Sequence, residues 1–423
     1  MRFSGTQVFP SVENLLRFLP LIMINLDELL QQELEGLKKQ GLFRDMKRID
    51  SMQGPIVVID NREYVLFSSN NYLGLASHPE VIKAQVQASQ EFGAGSCASR
   101  LISGNMSLHE KLERKIADFK CTESAILFPT GYMANVGTIS ALVGEGDLVV
   151  CDKLNHASII DGVRMSGAML RVYPHRNPER LEDILKNASG YKRRLIISDG
   201  VFSMDGDIAP LPEIIKISQR FNAILMLDDA HATGVLGKTG KGTCEYFGID
   251  KGVDIQMGTF SKAFGNLGGF IAGPLSLIEY IRNRARSFIY STALPPAIVG
   301  GCIKAIEIAE RGTDLRKRLW SNVSRLRDAL VGLDFDIMDT KTQIIPVSTG
   351  DISSTMKASE SLLNNGIYAP GIRPPTVPKN KCRIRVSLMA THSNDHIDRA
   401  IETFGKLKLK SKKAKLQFKI KKF

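Results

Sequence analysis

ILMLDDAHATGVLG (224–237) decides the fold. Four apolar residues stop abruptly at two aspartates and a histidine, the pattern of a buried strand that presents polar groups at its carboxyl end. The same rhythm recurs in AILF (125–128), LVV (148–150), LIIS (195–198), DIQM (254–257) and GFIA (269–272). Such runs are strand-length, and amphipathic stretches lie between them. In Ser107 to Lys120, for example, Leu108, Leu112, Ile116 and Phe119 share one helical face, with Ser107 placed to cap the start. The chain therefore reads as α/β, a largely parallel sheet covered by helices.

The flanks differ. IVVI and YVLFS (56–68) before the repeat, and IIPV and RIRVSL (344–388) after it, predict a smaller α+β unit built from both chain ends. A helical run from about 295 to 330 joins the two regions. The expected organisation is an extension at 1–25, an N-terminal segment at 26–66, a large domain at 67–315, a small domain at 316–405 and a basic tail at 406–423. The apolar run LLRFLPLIMI within Val8–Ile24 is too short to span a bilayer and is broken by Pro20. It also lacks the marks of a secretory signal, and Met23 reads as the natural start.

With 423 residues, 43% hydrophobic and 24% charged, the chain can bury more than one domain. Its six cysteines are scattered, with no C-x-x-C pair, and read as reduced cytoplasmic thiols. The net charge of +12 does not imply nucleic acid, because nine lysines fall between Lys406 and Phe423. That tail reads as a solvated, frayed terminus, and neither a nucleic-acid partner nor stable membrane insertion is expected.

Ligands of open α/β sheets collect at the carboxyl ends of strands. Four clusters stand there: Asn155-His156-Ala157-Ser158, Asp199-Gly200-Val201-Phe202-Ser203, Asp228-Asp229-Ala230-His231 and Gly258-Thr259-Phe260-Ser261-Lys262. Pyridoxal 5'-phosphate needs a lysine for a Schiff base, a carboxylate at its pyridine nitrogen, a flat group on its ring and donors around its phosphate. Lys262, Asp228 and His156 match the first three, and His231 with Ser203 would donate to the phenolic oxygen. The phosphate would sit on a helix start at Gly131-Tyr132, helped by Thr259 and Ser261. Singly, each residue has a plainer reading as a surface lysine, a structural histidine, a cap or a turn residue; four consecutive strand ends matching one cofactor in order favour the site.

Competing motifs fail. Gly237-Lys238-Thr239 resembles the end of a P-loop, but Ala232 stands where its first glycine is required. His392 and His396 are spaced for one helix face without a third ligand, so a helix start capped by Ser393 or Asn394 is preferred and no metal is expected.

The quoted segments, with SSNNYLGL (68–75), LNHASIIDG (154–162), DGVFSMDGDIAPL (199–211), GTFSKAFG (258–265), YSTALPPA (290–297) and RIRVSLMATH (383–392), resemble the α-oxoamine synthases of the fold-type I pyridoxal-phosphate enzymes. The resemblance spans about residues 26–405. It implies a fold-type I transferase that joins an amino acid to an acyl thioester with loss of carbon dioxide. Lys262 would bind the cofactor and move the α-proton; Gly131, Tyr132, Ser203, Asp228, His231, Thr259 and Ser261 would hold the cofactor; His156 would stack on it and orient substrate. Asn70 and Arg385 would meet the amino-acid carboxylate, and Arg44 and Thr376 match substrate-contact positions. Ser291 and Thr292 would reach the phosphate of a second subunit, which implies a homodimer.

Within the family, GIRPPTVP (371–378) resembles members that condense L-alanine with a pimeloyl thioester in biotin synthesis, with Arg44 and Arg373 as candidates for the distal carboxylate. ASRLISGN (98–105) and NHASIIDGVR (155–164) equally resemble members that use glycine and acetyl-CoA. A non-catalytic subunit of this fold normally lacks the lysine present here. Two positions depart from the pattern: Ala232 replaces a common glycine, and Arg100 replaces a histidine of some members in a loop expected to face substrate.

Overall fold

The computed structural model describes residues 25–420. The chain divides into two compact units, Met1–Met46 and Lys47–Phe423. The expected extension at 1–25 lies outside the described residues apart from Asn25. In the first unit, Asn25 caps the helix Leu26–Lys39 by accepting from the Asp27 amide at 3.2 Å.

The second unit carries all thirteen strands of the described residues: β1 (Ile56–Ile59), β2 (Arg62–Leu66), β3 (Ser124–Phe128), β4 (Leu148–Asp152), β5 (Met169–Tyr173), β6 (Arg194–Asp199), β7 (Ile224–Asp228), β8 (Ile255–Thr259), β9 (Gly269–Gly273), β10 (Ile344–Gly350), β11 (Ile367–Tyr368), β12 (Gly371–Ile372) and β13 (Cys382–Ser387). Seven form one sheet in the order β3-β9-β8-β7-β6-β4-β5. Only β9 opposes the rest. The nine residues from Phe260 to Gly268 that join β8 to β9 are too few for a helical crossover, so GFIA returns antiparallel.

Successive residues of β6 serve opposite faces. Leu195 and Ile197 pack with Met226 and Met257 on one side, while Ile196 packs with Leu225 and Leu227 on the other. Both faces are covered, which is why these strands read as unbroken apolar runs. The sequence pattern missed β5. MLRVY lies at the sheet edge with only Tyr173 buried, so no apolar run marks it.

Of two smaller three-stranded sheets, β1-β2-β11 draws strands from both ends of the chain, whereas β10-β13-β12 comes from its C-terminal part alone. β2 pairs in parallel with β11, and Arg385 of β13 lies opposite Pro346 of β10. The expected run from 295 to 330 is two helices, Pro296–Arg311 and Thr313–Gly332, separated at Gly312.

Two local expectations are corrected. Ser107 is not a cap but the first residue of its helix. His109 three residues into that turn accepts the Met106 amide through Nδ1 at 3.2 Å, while Nε2 faces the Leu294 carbonyl at 2.9 Å. As far as Ile420 the basic tail is helical rather than frayed: the helix that starts at Asn394 runs on through a lysine-rich stretch with no proline and no glycine after Gly405. At its start, Ser393 Oγ accepts the His396 amide at 3.3 Å, as a capping serine should.

Candidate active site

The strand ends bring their polar residues together. Asp199 and Asp228 are the last residues of β6 and β7 and lie side by side in register. By strand alternation both side chains emerge on the face covered by the helices Gly131–Leu142 and Ala157–Ser166.

Asp228 is buried and firmly held. Its Oδ2 accepts from Asn135 Nδ2 at 2.7 Å, and its Oδ1 accepts the Ala230 amide at 3.1 Å. The second Asn135 hydrogen goes to Ser158 Oγ at 2.8 Å, and that oxygen lies 2.7 Å from His156 Nδ1. His156 opens the helix Ala157–Ser166, and its own amide reaches Asp199 Oδ1 at 3.3 Å.

On the other side, His231 Nδ1 lies 2.7 Å from the Tyr72 hydroxyl, which lies 3.1 Å from Asn70 Oδ1. Arg385 closes this group. Nε donates to the Ser203 carbonyl at 2.6 Å, Nη1 to Ser387 Oγ at 2.8 Å, and Nη2 to Asn70 Oδ1 at 3.2 Å and Tyr72 at 3.4 Å.

Electrostatics single out Lys262. Burial pulls the Lys262 ammonium below its ordinary range, Asp228 and Asp199 oppose that pull, and Arg385 adds to it. Among the described residues no hydrogen bond or ion pair engages its Nζ. His156 is lowered by burial and then by Lys262, against the pull of Asp228. His231 is lowered further, by burial and by Lys262, Arg385 and His156. Asp199 is raised well above the carboxylate range by burial and by its neighbour Asp228. The site thus holds neutral imidazoles and an amine biased toward its neutral form, conditions that favour proton transfer near neutral pH.

The helix Gly131–Leu142 starts beside this cluster. Thr130 satisfies the Met133 amide through Oγ1 at 3.1 Å and the Ala134 amide through its carbonyl at 3.1 Å, leaving the Gly131 and Tyr132 amides without intrahelical acceptors. The start is seated so tightly on the sheet that a Cβ on Gly269 would lie 2.6 Å from Gly131 Cα. Thr259 Oγ1 donates to the Gly268 carbonyl at 2.7 Å and lies 2.7 Å from Ser261 Oγ. An unpaired amine, a held carboxylate, a neutral imidazole and free amides at a helix start together fit pyridoxal phosphate.

The remaining predicted residues are more peripheral. Tyr132 is exposed and its hydroxyl donates to Asp161 Oδ2 at 2.8 Å. Ser291 Oγ lies 4.0 Å from Met133 Sδ, and Thr292 bridges Ser99. Thr376 is on the exposed loop between β12 and β13, and Arg44 belongs to the first unit.

Arg100 does not face substrate as a free cation. Nη1 and Nη2 grip Glu113 Oε1 and Oε2, both at 2.9 Å, and Nε donates to Asn105 at 2.7 Å. Both charged side chains are under 10% exposed, on the wall of a cavity of about 480 Å³ that also includes Arg282 and Phe288.

Sequence reasoning gave no role to Asn135, Ser158 or Tyr72. Asn135 is one helical turn beyond Gly131, Ser158 two residues after His156 and Tyr72 two residues after Asn70. Each was within short reach of a candidate, the signal that could have found it.

Residues 62–404 match the family model described as aminotransferase class I and II. An 8-amino-7-oxononanoate synthase from Citrifermentans bemidjiense is 49% identical over 380 residues, covering 89% of this chain and 97% of that protein. Among solved structures, a serine palmitoyltransferase variant from S. paucimobilis with bound pyridoxal phosphate and myriocin aligns with a TM-score of 0.86 at 32% identity, covering 91% of this chain and 98% of that one. An 8-amino-7-oxononanoate synthase from Francisella tularensis aligns with a TM-score of 0.72 at 30% identity, covering 84% of this chain and 99% of that one.

Proposed function

The chain belongs to the class I and II aminotransferase family, and from that membership we propose that it condenses L-alanine with a pimeloyl thioester, releasing carbon dioxide and thiol, to form 8-amino-7-oxononanoate. The observation that carries this reading is the 49% identity with a synthase of that name along 97% of its length. The converging strand ends support the chemistry.

Pyridoxal phosphate, when bound, supplies an aldehyde for the amino group and an electron-withdrawing ring that stabilises negative charge at the α-carbon. Asp228, oriented by Asn135 and the Ala230 amide, would hold a proton on the cofactor's ring nitrogen. The amides of Gly131 and Tyr132 and the hydroxyl of Ser261 would receive the phosphate, with Thr259 joining them once its proton turns from the Gly268 carbonyl. His231 and Ser203 would donate to the phenolic oxygen. His156 would pack on the ring and orient substrate, while Arg385 and Asn70 would hold the amino-acid carboxylate.

Lys262 takes the α-proton, and its lowered pKa suits it to that work. The α-carbon then bonds to the acyl carbon as the thiolate leaves, the carboxylate departs as carbon dioxide, and Lys262 returns a proton to the same carbon. Arg44 and Thr376 match substrate-contact positions of the family, and Arg44 and Arg373 are candidates for recognising a distal carboxylate. Ser291 and Thr292 reach the phosphate held by a second copy, so the working unit is a cytoplasmic homodimer. Among the described residues no helix is long and apolar enough to cross a membrane.

The test is thiol release by the pyridoxal-phosphate-loaded protein across L-alanine, glycine and L-serine against pimeloyl-CoA, acetyl-CoA and palmitoyl-CoA. Release with alanine and pimeloyl-CoA is expected. Release confined to glycine and acetyl-CoA would move the chain to the glycine-using branch and overturn the assignment.

A further inference from the structure

We propose that Asn135 is a positioning residue that couples Asp228 to His156 through Ser158 and fixes the tautomer of the imidazole. The inference rests on the proposed function for its catalytic meaning, but its geometry belongs to the protein alone. Asn135 is 1% exposed, and its Nδ2 makes two short contacts, 2.7 Å to Asp228 Oδ2 and 2.8 Å to Ser158 Oγ.

The direction of these bonds is forced. With the amide reversed, Asn135 Oδ1 would stand 2.7 Å from a carboxylate oxygen, acceptor against acceptor, so Nδ2 must face Asp228. Asn135 Oδ1 is itself buried and without a partner among the described residues, so it is not Oδ1 that holds the side chain in place. Both Nδ2 hydrogens point outward.

Ser158 Oγ accepts one of them and is left with a single proton. The acceptor within reach is His156 Nδ1 at 2.7 Å, onto which the Ser158 amide also points at 3.3 Å. Two donors therefore converge on Nδ1, which must carry a lone pair, and the ring proton sits on Nε2. Protonating Nδ1 would set its hydrogen against the Ser158 amide hydrogen and oblige the Ser158 hydroxyl to turn its own proton away. One asparagine thus keeps Asp228 supplied with a donor and keeps the imidazole neutral with its N–H on the far side. The arrangement is one-way, since Nδ2 has no lone pair with which to reverse it.

The test is histidine-selective 15N labelling, with His156→Gln to assign the signal, in protein with and without pyridoxal phosphate. Wild type should show the Nε2–H pattern and a ring that stays neutral at pH 6. Asn135→Ala and Ser158→Ala should mix the tautomers and make His156 titrate about one pH unit higher, while Ser158→Thr should keep the wild-type pattern. Asn135→Ala should also weaken retention of pyridoxal phosphate about tenfold, because Asp228 loses a donor. Unchanged tautomer and titration in both alanine variants would overturn the proposal. If Asn135→Ala does not fold, the contrast between Ser158→Ala and Ser158→Thr decides alone. Should wild type take up no pyridoxal phosphate, the proposed function falls, while the ring shifts of the protein alone still decide the relay.

Discussion

Replacing Glu113 by glutamine should destabilise the protein by about 3 kcal/mol without weakening the acyl substrate. Glu113 Oε1 accepts from Arg100 Nη1 and from the Leu127 amide, each at 2.9 Å, and Oε2 accepts from Arg100 Nη2 at 2.9 Å. The side chains are 8% and 9% exposed, so water from the adjoining cavity replaces only a small part of what is lost. Removing one partner of a buried pair costs about 3–5 kcal/mol, and glutamine keeps one acceptor oxygen, which places the change at the lower end. Its NH2 would then meet an arginine N–H, donor against donor. Arg100→Ala should cost about as much, because it leaves a buried carboxylate. The double variant Arg100→Met, Glu113→Leu should recover part of that loss and keep only the orphaned Leu127 amide, about 1–3 kcal/mol. Urea unfolding followed by Trp320, the only tryptophan, reads the changes from a residue packed on the core. Costs below about 1 kcal/mol, with KM for the acyl thioester raised more than about tenfold, would show that Arg100 serves substrate and refute the reasoning.

Lys262→Ala should abolish the visible absorption of lysine-linked cofactor and lower turnover at least about a thousandfold; retained turnover would remove the lysine from the mechanism. Burial lowers His175, but hydrogen bonds to Asp152 at 2.9 Å and Asp207 at 2.8 Å outweigh it and raise the group to about 9. Because the folded value lies above the ordinary 6.5, its stabilisation is whole below pH 6.5 and is lost as pH rises through about 9. Thermal midpoints of wild type should fall across that window, and those of His175→Gln should fall less. Gly269→Ala should push the helix start off the sheet, since the new Cβ would lie 2.6 Å from Gly131; the pyridoxal-phosphate content after desalting should drop, and an unchanged content would deny that this seat forms the phosphate site.

The strand ends were legible because burial on both faces writes them as apolar runs that stop at a polar residue. Asp199, Asp228 and Thr259 each close a strand and were read from that pattern. Edge strand β5 and the reversal of β9 were not legible, since the first buries one residue and the second depends on the length of a loop. Arg100 shows the reverse difficulty. Its position in a loop suggested substrate, and only the fold reveals that Glu113, thirteen residues away, takes up its charge. Asn135 is a middle case: its spacing one turn beyond Gly131 marks it as near the site, but its partners on strand β7 and the next helix emerge only from the fold.

Arg385 has five N–H groups, and four are already engaged by Ser203, Ser387, Asn70 and Tyr72. A carboxylate that docks there meets one open donor, and a bidentate grip requires Asn70 or Tyr72 to let go. Capture of the amino acid is therefore a ligand exchange. Its affinity is the difference between two sets of bonds, so it should be modest, and where Tyr72 is the group displaced, the incoming carboxylate releases the tyrosine that leans on His231.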